Sequence, residues 1–208
     1  MNCTFNTSII LISLVAFLSS CVIPESNHQE STFHLLTSLD GESNSTSVGA
    51  GTSFYLRQVE LPSYLQDNRL VARPKQGLIE FTETERWGES LEEGISRVVG
   101  LNLSERLDTL SYSVFPHRRK PGCRFDLGLT FSRFERIAPG KVLIEVLCDL
   151  YHDNKLVSQV RFQKELVFQD PSQTLDASLQ VLALSQCLSD LSAFLVLEME
   201  ANGEKGSP

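Results

Sequence analysis

The residue pattern closest to covalent chemistry is Leu18-Ser19-Ser20-Cys21, a bulky apolar residue, two small ones and a thiol. Directly before the thiol, Ile9 to Leu18 is an uncharged apolar run of the length of a signal-peptide core. It is too short for a bilayer span, which takes about 20 residues. The spacing matches a lipobox, in which the cysteine is diacylated, freed by cleavage and then N-acylated. Cys21 is therefore the expected lipid attachment site and residues 1–20 the expected signal peptide. Met1 to Ser8 carries no Lys or Arg, a departure from the usual charged start. Each buried acyl methylene contributes about 0.8 kcal/mol, so three chains would hold the protein at a membrane for good.

Other reactive patterns are missing. His28, His34, His117 and His152 are scattered, which leaves no readable zinc site. Gly49-Ala50-Gly51-Thr52 lacks the lysine and the spacing of a phosphate-cradling loop, and no Gly-x-Ser-x-Gly elbow occurs. No catalytic residue, metal or cofactor is expected, and an envelope hydrolase is the least favoured reading. Lys and Arg number 18 against 26 Asp and Glu, for a net charge of −8, which argues against a nucleic-acid partner. Against that acidity the loop His117-Arg118-Arg119-Lys120 stands out. Arg118, Arg119 and Lys120 are candidates to meet anionic headgroups or an acidic partner, the plainer reading being a solvated strand connection.

Removing the first twenty residues leaves 188 of the 208, enough for one domain with a sizeable core. Residues 21–32 read as a lipidated tether, 33–200 as the folded domain, and 201–208 as a frayed tail. Phe33 to Leu39 and Phe54 to Leu61 read as strands, Pro62-Ser63-Tyr64-Leu65 as a helical turn, and Leu70 to Arg73 and Leu78 to Phe81 as short strands. Between the first two lies the polar loop Gly41 to Ser53. Glu85 to Leu107 switches to helical spacing, with Trp87, Leu91, Ile95, Val98 and Leu101 on one stripe and a solvated acidic set, Glu85, Glu89, Glu92 and Glu93.

A strand near Tyr112 to Phe115 precedes three longer ones. A turn at Pro139-Gly140 sets Phe131 opposite Cys148, Leu129 opposite Leu150 and Arg133 opposite Val146. A loop at Asp153-Asn154-Lys155 sets Cys148 opposite Val160, Val146 opposite Phe162 and Val142 opposite Leu166, so one face of the meander is apolar. That register holds Cys123 roughly 23 Å from Cys148, beyond disulfide reach. Cys148 and Cys187 could approach each other, but two buried thiols are the preferred reading. Thr174 to Glu200 reads as a helix with Leu175, Leu179, Leu182, Gln186, Leu188, Leu191, Leu195 and Leu197 as its apolar surface. The predicted fold is a single α/β domain, a mixed, mostly antiparallel sheet with two long helices packed on it.

Three segments carry a family resemblance: Phe54-Tyr55-Leu56-Arg57-Gln58-Val59-Glu60-Leu61-Pro62-Ser63-Tyr64-Leu65, Leu70-Val71-Ala72-Arg73, and Glu85-Arg86-Trp87-Gly88-Glu89-Ser90-Leu91-Glu92-Glu93-Gly94-Ile95. They resemble the ABC-type transport auxiliary lipoproteins of the paraquat-inducible protein C type, firmly from about Phe33 to Leu107 and in element order to the C-terminus. Gly88, commonly alanine, and the polar loop Gly41 to Ser53 depart from the pattern. The resemblance implies a non-enzymatic part in envelope lipid transport. The implied partners are an MCE-domain protein bridging the periplasm and an inner-membrane permease, with self-association left open. Val22, in place of the aspartate of inner-membrane retention, implies the periplasmic leaflet of the outer membrane.

Trp87 is expected to be a core plug. Pro62 lacks an amide hydrogen and stops its strand, which would aim Tyr64 and Leu65. Leu61, Pro62, Tyr64 and Leu65 are therefore candidates for a partner-facing surface, with core packing as the alternative for Tyr64 and Leu65. A docking lipoprotein should have a filled core. The rival, a lipid shuttle or chaperone, would need an apolar cavity of several hundred Å³.

Overall fold

The computed structural model describes residues 29–39 and 51–203. In chain order they form β1 (Thr32–His34), β2 (Phe54–Glu60), a 3-10 turn (Ser63–Gln66), β3 (Arg69–Lys75), β4 (Leu78–Trp87), α1 (Leu91–Arg106), β5 (Tyr112–Val114), β6 (Phe125–Ala138), β7 (Lys141–His152), β8 (Lys155–Val167) and α2 (Ala177–Gly203). This is the expected α/β domain, a mixed and mostly antiparallel sheet with two helices.

The longest strand, β6, organises the sheet. β7 runs antiparallel along its whole length on one edge, and β8 extends that side. On the other edge β2 and β3 lie in series, both parallel to β6, with Phe54 beside Phe125 and Ala72 beside Arg136. β5 continues the β2 branch, while β4 and then β1 continue the β3 branch. The sheet therefore forks at the break between β2 and β3, where the 3-10 turn sits.

Alternation along β6 and β7 buries Phe125, Leu127, Leu129, Phe131, Val142, Ile144, Val146, Cys148 and Leu150. Both helices cover this face and touch one another, α1 over β2 and β5, α2 over β7 and β8. Val160 and Phe162 of β8 pack partly buried at its margin. The inner face is filled by aromatic rings as well as aliphatic chains, Phe131 and Phe134 meeting edge to face at 5.7 Å.

The β7–β8 register is the expected one, Cys148 opposite Val160, Val146 opposite Phe162 and Val142 opposite Leu166. The β6–β7 register is not. The turn pairs Ala138 with Lys141 as expected, but two irregularities shift the ladder by one residue each. Cys148 consequently faces Leu129 and Val146 faces Phe131, while Arg133 faces Glu145. The second irregularity is a bulge at Ser132, which leaves Phe134 rather than Arg133 on the inner face.

Two helix expectations also need correction. The first helix starts at Leu91, and Glu85 to Trp87 close β4 instead. Ser90 sets the boundary, its hydroxyl accepting the Glu93 amide hydrogen at 3.2 Å and donating to the Glu93 carboxylate at 2.8 Å. Half of the acidic set is engaged rather than simply solvated, Glu85 pairing with His34 and Glu89 with Arg97, while Glu93 is exposed on the first helical turn. In α2, Leu179, Leu182 and Leu197 face outward, as does Leu175 just ahead of it. The buried face runs through Val181, Leu184, Leu188, Leu191, Leu195 and Met199. Ser185 and Ser192 lie on it because their hydroxyls donate to Val181 and Leu188 carbonyls one turn back. α2 is long and apolar enough to cross a membrane by length and composition, but it lies mostly buried within the fold. It also runs to Gly203, past the boundary expected for the tail.

Candidate functional site

The turn at the fork carries the first set of candidate residues. Pro62 is extended at φ −64° and its carbonyl accepts the Leu65 amide hydrogen at 2.9 Å, closing the single 3-10 turn. That geometry drives Leu65 inward, where it is 1 % exposed and part of the core. Leu65 is therefore not on the surface proposed for it. Tyr64 is half-buried, and its hydroxyl lies 2.9 Å from Glu135 Oε2 and 3.1 Å from the Ser132 carbonyl oxygen. The turn is thus fastened to the β6 bulge. Leu61 and Pro62 remain partly accessible.

Glu135 is the hub of this fastening and is fully buried. Oε2 also accepts the Phe134 amide hydrogen at 2.9 Å, and Oε1 accepts from Arg133 Nε at 2.7 Å with Arg73 Nε 3.5 Å away. Two cations and several donors offset the cost of taking the carboxylate out of water. Arg73 also lies over the Tyr64 ring, 5.0 Å from its centre. Burial and then the adjacent Glu135 carboxylate push the Tyr64 phenol well above its ordinary value, so it stays protonated and able to donate. Arg133-x-Glu135 on a strand was the available signal for this cluster, and sequence reasoning passed over it.

The basic loop divides into two kinds of residue. Arg119 turns inward, Nε donating to Asp126 at 2.7 Å and a terminal nitrogen to the Cys123 carbonyl at 2.6 Å. Asp126 is buried, so Arg119 is a structural counter-ion and leaves the set of surface contacts. Arg118 and Lys120 are exposed and have no carboxylate partner among the described residues. They border a cleft of about 750 Å³ between α1 and the β5 strand with its following loop. Leu101, Tyr112, Val114, Phe115 and Pro116 form its apolar wall. α1 comes close to β5 here because residue 100 is glycine; a Cβ on Gly100 would stand 3.0 Å from Val114 Cγ2.

The sequence matches the family of the ABC-type transport auxiliary lipoprotein component over residues 33–196. The chain belongs to that family. No curated protein matches it. Among solved structures it is similar to an uncharacterized protein at 20% identity and a TM-score of 0.67, covering 82% of this chain and 99% of that one. A Xanthomonas campestris protein of the DUF330 family is similar at 16% identity and the same TM-score, covering 84% of this chain and 98% of the other. At these identities the likeness shows the fold.

In this transport auxiliary lipoprotein the segments that carried the resemblance hold the sheet's fork. Trp87 is 6 % exposed at the end of β4, its ring 6.5 Å from Phe134, and so is core. Cys123, Cys148 and Cys187 are buried free thiols. Burial pushes Cys148 and Cys187 up to about 12. Among the described residues, no three or more His, Cys, Asp or Glu side chains group as a metal site. Cys21 lies outside the described residues, as does most of the polar loop Gly41 to Ser53.

Proposed function

We propose that this chain is a non-catalytic accessory lipoprotein of an MCE/ABC-type envelope lipid transport system, docking the periplasm-spanning component at the outer membrane. The observation that carries the reading is family membership across residues 33–196, nearly the whole described domain. The Leu18-Ser19-Ser20-Cys21 pattern supports a lipid anchor on Cys21, and Val22 supports the outer membrane. Partners on this reading are an MCE-domain protein and an inner-membrane permease. The filled inner face supports docking over carriage. Phe54, Phe125, Phe131 and Phe134 occupy the space between sheet and helices where a shuttle would enclose its lipid.

The test is crosslinking in membranes followed by purification of the full-length protein. Recovery of an MCE-domain protein is the expected result. Recovery of abundant lipid-trafficking proteins without any MCE-domain protein would refute the docking role.

A further inference from the structure

The cleft beside α1 is divided in its chemistry. One wall is apolar, with Leu101, Val114 and Phe115 contributing, and Phe115 is 41 % exposed although it is a large aromatic. Part of the border is cationic. Arg118 and Lys120 line it, in a protein whose net charge is −8. The other charged side chains at the cleft are Arg97 and Glu93. Arg97 is held by Glu89 and the Leu36 carbonyl, and Glu93 is held by Ser90 at the helix start. Ser113, also at the cleft, is buried, and its hydroxyl has no hydrogen-bond partner.

The border is also held in place. Arg119, between Arg118 and Lys120, is tied to Asp126 and the Cys123 carbonyl. The loop can therefore present its two free cations without itself having to order on binding, which lowers the cost of association. A volume of about 750 Å³ is in the range of small-molecule sites, which run roughly 300–1,000 Å³. An apolar wall meeting an unpaired cationic border complements one kind of ligand, an acyl chain ending in an anionic head.

We propose that this cleft binds an anionic amphiphile, its acyl chain against Leu101, Val114 and Phe115 and its phosphate or carboxylate head against Arg118 and Lys120. The site deepens the transport reading and rests on it for the ligand class. It places lipid contact on the outside of the domain, on the α1–β5 side, and leaves the core filled.

The experiment uses the full chain, made in a membrane-free translation reaction so that Cys21 carries no lipid. Calorimetric titrations compare lysophosphatidylglycerol below its micelle concentration, lysophosphatidylcholine with the same chain, and inorganic phosphate. The combined substitutions Arg118→Ser and Lys120→Ser should weaken lysophosphatidylglycerol binding about tenfold or more at low salt. Lysophosphatidylcholine should bind more weakly and be insensitive to the change, and phosphate should not compete. Arg118→Glu alone gives the same comparison if the double variant fails to fold, as judged by its unfolding midpoint. Unchanged affinity in a folded variant would overturn the proposal. Competition by equimolar inorganic phosphate would overturn it too, by reducing the site to a simple anion pocket. Loss of partner capture from membranes with amphiphile affinity intact would assign the cleft to a protein contact instead. Partner capture by the unsubstituted protein reports separately on the docking role, so the two readings fail independently.

Discussion

Replacing Leu65 with alanine separates the two roles that its position in a family-signature turn suggests. The side chain is buried in the core beneath the fork of the sheet. Losing its three outer carbons removes about 2.4 kcal/mol of transfer free energy at roughly 0.8 kcal/mol per methylene. A cavity contribution comes on top, and buried leucine truncations fall in the range of about 2–5 kcal/mol. The turn is fixed by the Pro62–Leu65 hydrogen bond and the Tyr64 contacts to Glu135 and Ser132, so it cannot easily collapse into the gap. A value near 3 kcal/mol follows, and in a domain of this size the melting temperature should fall by about 6–12 °C. Trp87 is the only tryptophan and is buried, so its fluorescence reports the urea transition without any added probe. Partner recovery, measured on the fraction that remains folded, should be unchanged. A loss of less than about 1 kcal/mol together with lost recovery would return Leu65 to the docking surface and refute its assignment to the core.

The remaining expectations concern the anchor, the thiols and the basic loop. Cys21→Ala should abolish incorporation of labelled fatty acid, and incorporation at the unsubstituted level would place the lipid elsewhere. With values near 12, Cys148 and Cys187 should be ionised in only about one molecule in 10⁴ at pH 8, against about a quarter for a free thiol. Aromatic disulfide reagents should therefore label them slowly in the native state and rapidly in denaturant. Because the folded values are raised, the linked stability is present below the unfolded thiol value near 8.5 and is lost as pH climbs toward 12, so midpoints should decline through that window. Arg119→Ser should cost about 1–3 kcal/mol in urea unfolding by leaving buried Asp126 poorly paired, whereas Arg118→Ser should stay within about 0.5 kcal/mol. Equal effects at the two positions would contradict the division of the loop.

What the sequence revealed depended on whether a local rule was enough. Strict alternation and short turns made β7 and β8 readable. The loop there is only Asp153-Asn154, both left-handed at φ 47° and 65°, and an irregularity near Leu150 restores the expected pairing. The β6–β7 ladder failed because neither of its two irregularities has a signature, apart from the Arg133-x-Glu135 pair that the Ser132 bulge turns toward Tyr64 and Arg73. Glu85 to Trp87 misled because charged residues on a branch near the sheet margin look like the start of a solvated helix. Ser90-Leu91-Glu92-Glu93 was the sign that the helix begins later. α2 is apolar nearly all round, so periodicity could not choose its buried face. The cleft joins Leu101 to Phe115 and Arg118 across an α1–β5 approach permitted by Gly100, a proximity set by tertiary packing and not by sequence spacing.

The fork in the sheet also has a kinetic consequence. β6, β7 and β8 are joined by tight turns and can form as successive hairpins, each closing a short loop. β2 and β3 must instead find β6 across long stretches of chain, Phe54 reaching Phe125 and Ala72 reaching Arg136, and parallel pairing of such distant segments is slow. A chain emerging N-terminus first can close the β3–β4 hairpin, but it leaves β2 and that hairpin without their β6 neighbour until β6 arrives. For a protein destined for the envelope, that delay postpones closure of the core, and an unclosed core is what passage through a narrow membrane channel requires.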